Sequence, residues 1–291
     1  LTESDLGSRN SHDRLPQRLA VPLSPEQSAA KAVRFGSWYF AEQVLRQMRV
    51  YLWSVIAYSV GSPLAYLFAM GMGLASLVNA SAQNQFGGVS YQVFIAPALV
   101  ASTALMSAAG EFMFPVMDGF KWRRLYFGPH ASPLTPEQIA KGHIIAVFLR
   151  ILLPTAIYYV IVLLFQASPS PWGWFSVLTA TLAAMTFGLP LMAWTATLKN
   201  DAGQFAVVQR FIVMPLFLFS GTFFPLSQLP WFLQWIGWIS PLWHATEIGR
   251  VLSFGYQEPA WLTIVHIVYL LVIAAVGWVL AQRFFAKRMN V

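Results

Sequence analysis

Residues Tyr51 to Gly110 read YLWSVIAYSVGSPLAYLFAMGMGLASLVNASAQNQFGGVSYQVFIAPALVASTALMSAAG, and no Asp, Glu, Lys or Arg occurs among them. A helix crosses a bilayer with about 20 apolar residues, so this stretch is long enough for two crossings. Its polar, uncharged middle, Asn79–Ser90, divides it into one span at about Tyr51–Val78 and another at about Tyr91–Phe114. Two further uncharged runs, Ile151–Leu198 and Phe211–Thr246, repeat the signal. The whole chain is 57% hydrophobic and 10% charged. A soluble domain carries about 25% charged residues, so most of this surface faces something other than water. There is no cysteine, which excludes a disulfide framework, a thiolate metal site and a cysteine nucleophile.

Outward from that stretch the remaining spans follow. Thr135-Pro136-Glu137-Gln138 is a helix-start signature, with a capping residue, proline at the first helical position and a reciprocal glutamine. It opens a third span, expected to run from Pro136 to Phe165. A fourth is expected at about Trp174–Leu198, a fifth from Gln204 to about Phe224, and a sixth at about Trp261–Leu280. Upstream, Ser24-Pro25-Glu26-Gln27 repeats the start signature. The helix it opens, 25–48, mixes Lys31, Arg34 and Arg46 with Phe35, Trp38, Tyr39 and Phe40. Such a basic amphipathic helix suits the membrane interface; the other reading is a surface helix of a soluble subdomain, for which no second core is present. Residues 1–23 read as a disordered cytosolic tail. Thr2–Arg18 lacks an apolar segment, so no cleavable signal peptide is expected.

The net charge of +7 belongs to topology rather than to nucleic acid. Residues 1–50 carry seven Lys or Arg, residues 117–141 four, and the C-terminus three; the 1–2 and 3–4 loops carry none. The positive-inside rule puts both termini in the cytosol. The expected fold is therefore an all-α membrane protein of six transmembrane helices with an N-terminal interfacial helix.

Two segments stand out. Gly221–Pro259 reads GTFFPLSQLPWFLQWIGWISPLWHATEIGRVLSFGYQEP, apolar and rich in tryptophan yet broken by Pro225, Pro230 and Pro241. No piece between breaks can cross a bilayer. Two short helices, Pro230–Trp238 and Trp243–Leu252, are predicted, forming a re-entrant hairpin over 225–253. Between spans 2 and 3, residues Asp118, Phe120, Lys121, Arg123, Arg124, Leu125 and Tyr126 belong to a run that alternates basic and aromatic side chains. Two compatible readings stand: an anchor on anionic lipid and a docking knob for a cytosolic partner.

Ionisable groups within spans are functional candidates. Glu111, near the cytosolic end of span 2, is either an interfacial salt-bridge partner or a polar latch with Arg150 or Arg210. Glu247 and Arg250 are one helical turn apart and suit a local ion pair. His244 with Glu247 offers too few ligands for a metal site, and His266 suits a helix-to-helix hydrogen bond. No G-x-x-x-x-G-K-[ST] occurs, so the chain has no P-loop. The scattered carboxylates and the absence of a nucleophile elbow point away from an enzyme.

The order of interfacial helix, six spans, basic–aromatic 2–3 segment and broken hairpin resembles the type-2 ABC exporter permeases. The stretch Phe219-Ser220-Gly221-Thr222-Phe223-Phe224-Pro225-Leu226, with Leu229-Pro230, Pro241-Leu242-Trp243-His244 and Glu247–Arg250, is similar to that family's signature before the last span. The similarity is greatest to the branch exporting lipo-oligosaccharides, nodulation factors and drugs. The resemblance implies a single transmembrane domain over 24–291 in a bacterial inner or plasma membrane, with a coupling helix at 117–127. It also implies a second permease copy or a paralogue, and a separate cytosolic P-loop ATPase that carries the ATP and Mg, no cofactor being bound by this chain. An outer gate is expected from Phe219, Phe223, Phe224, Pro225 and Leu229, opening for an amphipathic or lipid-linked cargo. The competing class, a self-sufficient secondary transporter or channel, calls for charge on broken helices at the midplane, which is sparse here.

Overall fold

The computed structural model describes residues 24–48, 50, 52–74 and 86–290. The N-terminal tail at 1–23, the last residues of the first expected span at 75–78 and most of the loop after it lie outside the described residues. Every regular element among the described residues is helical.

Helix α1 covers Pro25–Met48. Its start is reciprocally capped, with Gln27 N donating to Ser24 Oγ and Ser24 N to Gln27 Oε1, each at 3.2 Å. Helix α2, Leu52–Tyr66, widens into a π-helical segment at Leu67–Leu74. Helix α3 covers Tyr91–Met117 and passes without interruption into a π turn at Asp118–Trp122. A one-turn helix, α4, follows at Phe127–His130. Helix α5, Pro136–Leu164, begins in the expected capping box, worth about 1 kcal/mol. Helix α6 covers Phe175–Thr197, and α7 runs over Gln204–Phe219 with a π segment at Gln209–Val213. The hairpin is α8, Trp231–Trp238, and α9, Pro241–Phe254. Helix α10, Ala260–Met289, closes the chain.

Four of these, Tyr91–Trp122, α5, α6 and α10, are long and apolar enough to cross a membrane, and Gln204–Phe219 is a shorter apolar helix. The protein is an all-α membrane protein. α3 and α6 form its centre, 72% and 67% buried over their most apolar windows, whereas α10 is only 22% buried. Ile264, Val268, Leu271, Val272 and Val276 of α10 face outward, as lipid-facing side chains do. Helix association in lipid depends on close van der Waals approach. At Gly188 of α6 a Cβ would stand 2.1 Å from the Phe112 ring of α3, so the two central helices meet there only because the side chain is absent. Thr186 adds a hydrogen bond from α6 to Leu270 O of α10 at 2.9 Å.

At the usual rise of 1.5 Å per residue, α3 with its π turn is about 48 Å long. That exceeds a hydrocarbon core of about 30 Å. The helix is therefore longer than the apolar layer is thick; its last turns lie at the end of the bundle that carries α1, Lys121, Arg123, Arg124 and the basic C-terminal turn, called the basic end below.

The segment at 117–127 is not one separate short helix, as the family resemblance implied. It is the tail of α3, then a tight turn. Arg123 N and Arg124 N both donate to Asp118 O, at 3.1 and 3.0 Å, and Tyr126 N donates to Gly119 O at 3.2 Å. Arg124 takes a φ of 57° to make the turn. The cause is burial: both Phe120 and Tyr126 pack inward, and a continuing helix could not return Tyr126 to the core. The fifth expected span also ends earlier, at Phe219, because Gly221 adopts a φ of 72° and turns the chain.

Candidate functional site

Three features lie along α3. The first is a cavity of about 750 Å³ between α2, α3, α5 and α7, within the range of ligand sites. One stripe of α3 lines it: Thr103, Ser107, Gly110, Glu111 and Phe114, spaced three and four residues apart and so on one helical face. Tyr66 and Phe217 line it from α2 and α7. Glu111 Oε1 meets the Arg150 guanidinium of α5 at 2.9 Å, with both side chains mostly buried. Glu111 Oε2 is buried without a partner. A second cavity, of about 410 Å³, lies between α1 and the 118–126 turn. Arg150, Phe114 and Pro115 line both cavities, so the ion pair stands where the two meet. Of the two bases weighed as partners for Glu111, the structure brings Arg150. Arg210 is exposed on the π segment of α7 and has no ion pair among the described residues.

The second feature is the knob at the basic end. Lys121, Trp122, Arg123, Arg124 and Leu125 are exposed, while Phe120 and Tyr126 are buried. Those two had been placed with the docking residues; their rings face the bundle, so they hold the turn from behind. Tyr126 packs edge-on against Phe120 at 4.9 Å and lies 4.8 Å from Phe285 of α10. Its hydroxyl is 3.2 Å from His143 Nδ1 of α5. Burial, reinforced by the Asp118 charge, pushes the Tyr126 hydroxyl far above the ordinary phenol range, so it remains a neutral hydrogen-bonding group. Asp118 is half-buried and is occupied by Arg123, whose Nε lies 2.9 and 2.8 Å from its two oxygens. Arg288 covers the Phe120 ring at 4.2 Å and donates to Thr195 O and Ala196 O at 3.2 and 3.3 Å. The knob is thus clamped to α5, α6 and α10.

The third feature is at the opposite end. Arg250 of α9, 1% exposed, joins three elements. It donates to Glu247 at 2.7 Å, to Gly221 O at 2.6 Å and to Phe94 O of α3 at 3.4 Å, and its guanidinium lies 3.7 Å from the Phe94 ring centre. The local pair expected from the sequence is present, but the contacts to the start of α3 and the end of α7 carried no sequence signature. Ser220 Oγ donates to Ser240 Oγ at 2.6 Å, fastening α7 to the start of α9. Of the residues placed in an outer gate, Leu229 is buried and Phe219, Phe223, Phe224 and Pro225 are half-buried. Phe223 meets Phe217 edge-on at 5.2 Å, and Phe217 meets Tyr66 at 6.3 Å. This aromatic row joins the hairpin segment to the cavity wall.

His266 makes the interhelical bond expected of it. Its Nδ1 is 2.6 Å from His244 Nδ1, and its Nε2 is 2.7 Å from Glu258 Oε1. His244 Nε2 faces the Trp238 carbonyl at 3.1 Å. A carbonyl only accepts, so His244 carries its proton on Nε2 and accepts at Nδ1, and His266 donates across the pair. A neutral His266 then has Nε2 as its acceptor and takes a hydrogen from a protonated Glu258. Burial pushes the Glu258 carboxyl above its ordinary value of 4.5, in the same sense. A carboxyl raised on folding stabilises through its protonated form. That contribution is complete below 4.5 and is lost as pH rises through the folded-state value. Glu258→Gln keeps a donor on His266, so its thermal stability is expected to vary less with pH than the wild type's as pH rises from 4.5 towards neutrality. Thermal unfolding of both proteins across that range checks this.

The family description "ABC-2 type transporter" matches residues 37–254. The chain belongs to this family, and is a multi-pass membrane transporter subunit rather than an enzyme. Among curated proteins it is similar to nodulation protein J of Sinorhizobium fredii, with 27% identity over 235 residues, covering 79% of this chain and 85% of that one. Nodulation protein J of Bradyrhizobium diazoefficiens is 27% identical over 238 residues, with 79% and 85% covered. The protein of the same name from Rhizobium leguminosarum bv. trifolii is 27% identical over 201 residues, with 68% and 73% covered. The relatives are bacterial, in keeping with a multi-pass protein of the inner membrane, and the family implies pairing with an ATPase subunit and dimerisation.

Proposed function

We propose that the chain is the permease half of an ATP-driven exporter, working as a pair of permeases on a separate P-loop ATPase that holds the ATP and Mg. Both termini and the basic end face the cytosol, with α1 lying in the interface. The knob at Lys121–Leu125 docks on the ATPase. The cargo is amphipathic or lipid-linked and leaves through the outer leaflet past Phe223.

The observation that carries this reading is the continuity of α3, which would let it act as a lever. It runs unbroken from the Arg250 tie at Phe94, past the Glu111–Arg150 pair, to the exposed knob. A push at the knob is transmitted along packed helix to the place where the two cavities meet. The differential affinity of the ATPase for ATP in its closed state supplies the bias between inward-open and outward-open arrangements. In this reading the Glu111–Arg150 pair is the inner latch and the Arg250 assembly is the fixed outer pivot.

The test is affinity purification of the tagged chain from its native membrane in mild detergent, with identification of what accompanies it. A P-loop ATPase in about one-to-one ratio is expected. A chain that purifies alone and moves solute down an ion gradient would replace this reading with a secondary transporter.

A further inference from the structure

We infer that the cavity between α2, α3, α5 and α7 is a headgroup site selective for hydrogen-bond donors, a hydroxyl or an amine on an otherwise apolar molecule, with Glu111 Oε2 as the group that reads the donor. This rests on the permease reading, because it takes the cavity to hold the cargo.

The wall is mostly apolar, from Leu99, Met106, Met214 and Phe217, and suits a hydrocarbon portion. The polar groups converge along the α3 stripe. Oε1 of Glu111 is taken by Arg150 at 2.9 Å. Oε2 is unpartnered and closed off from the cavity. The side chain is nevertheless 21% exposed and lines that cavity, so a turn of the carboxylate brings Oε2 to a donor there. An orphaned carboxylate oxygen costs more than an ordinary unmet acceptor, so a ligand that donates to it gains that energy back. Ser107 Oγ gives its hydrogen to Thr103 O at 2.9 Å, one turn along the same stripe, and presents lone pairs. Gly110, between them, has open space where a side chain would stand. That space gives a headgroup room beside Glu111. The site therefore offers acceptors in want of donors.

The positive charge nearby does not reverse this. Arg150 is neutralised by the carboxylate it faces, and an anionic headgroup would have to displace Glu111 from it while meeting the second carboxylate oxygen. Phosphate and sulfate groups are consequently excluded, and an ammonium or a sugar hydroxyl is accepted.

The experiment uses the permease–ATPase complex in phosphatidylcholine nanodiscs without nucleotide. Equilibrium binding is measured for three probes with one C12 chain: dodecyl glucoside, dodecylamine and dodecyl phosphate. In the wild type the first two are expected to bind at least tenfold more tightly than the phosphate. Glu111→Gln frees Arg150 and supplies an amide donor, so dodecyl phosphate should gain about tenfold and dodecylamine lose about as much. Arg150→Gln leaves the carboxylate alone and should shift the order the opposite way, towards dodecylamine. Gains of binding cannot come from misfolding, and either variant suffices if the other does not fold. Dodecyl phosphate binding best to the wild type, or an order unchanged in every variant that folds, would overturn the proposal. Because no nucleotide is used, the result is separate from the exporter reading. ATP-dependent transport that fails while the binding order holds removes that reading and keeps the site.

Discussion

Arg250→Met is expected to lose about 3–5 kcal/mol of stability, the cost of removing one partner of a buried ion pair, and to abolish transport. The side chain is 1% exposed and serves three acceptors on three elements. Its removal strands the Glu247 carboxylate and the Gly221 carbonyl in an apolar interior, whereas Phe94 O, inside α3, keeps its helical donor. Arg250→Met/Glu247→Leu is expected to recover part of the loss, because the unpaired charge is gone, though Gly221 O remains without its donor. Thermal unfolding of the three purified proteins in one detergent measures this. A wild-type transition in Arg250→Met would show that α9 is not held by this residue.

The second large effect is expected from Gly119→Ala. A Cβ there would stand 2.2 Å from the Tyr126 ring, and that ring cannot retreat, since Phe120, Phe285 and Phe40 surround it. Overpacking of this kind costs about 1–3 kcal/mol. The strain falls on the turn that presents Lys121–Leu125, not on the spans. The variant should therefore insert and fold while capturing roughly tenfold less ATPase, a binding loss of about 1.4 kcal/mol. Gly128→Ala is the control, nine residues along the same segment, where nothing lies within 4 Å of the new Cβ. Equal capture by Gly119→Ala and the wild type would dissociate the knob from ATPase docking.

Much of the architecture was legible because its signals are periodic or local. Charge-free runs marked the spans, Thr135–Gln138 marked the start of α5, and Pro230 and Pro241 marked the two helices of the hairpin. For Glu111 the sequence offered two partners, Arg150 and Arg210, and only the packing of α3 on α5 selects Arg150. The segment at 117–127 was expected as a helix from the family resemblance, since its alternating basic and aromatic residues set no helical period of their own. What decides its shape is the burial of Phe120 and Tyr126 against Phe285 of α10, more than 150 residues downstream. The reach of Arg250 was hidden for a different reason. Two of its three acceptors are backbone carbonyls, which every residue has. Its isolation as the one base between spans 5 and 6 was the available sign. The His244–His266 pair joins two helices, and spacing along either gives no hint of the other.

The most direct test of α3 as an ATP-driven lever beside the pathway uses the chain's lack of cysteine. A single Ser107→Cys places a thiol in the cavity wall, and a membrane-impermeant maleimide is applied from each side of sealed vesicles holding the permease–ATPase complex. Labelling from the cytosolic side is expected without nucleotide, and labelling from the opposite side when the ATPase is trapped closed with ATP and vanadate. A thiol that reacts from one side only, at a rate indifferent to nucleotide, would contradict the coupling of the cavity to ATP.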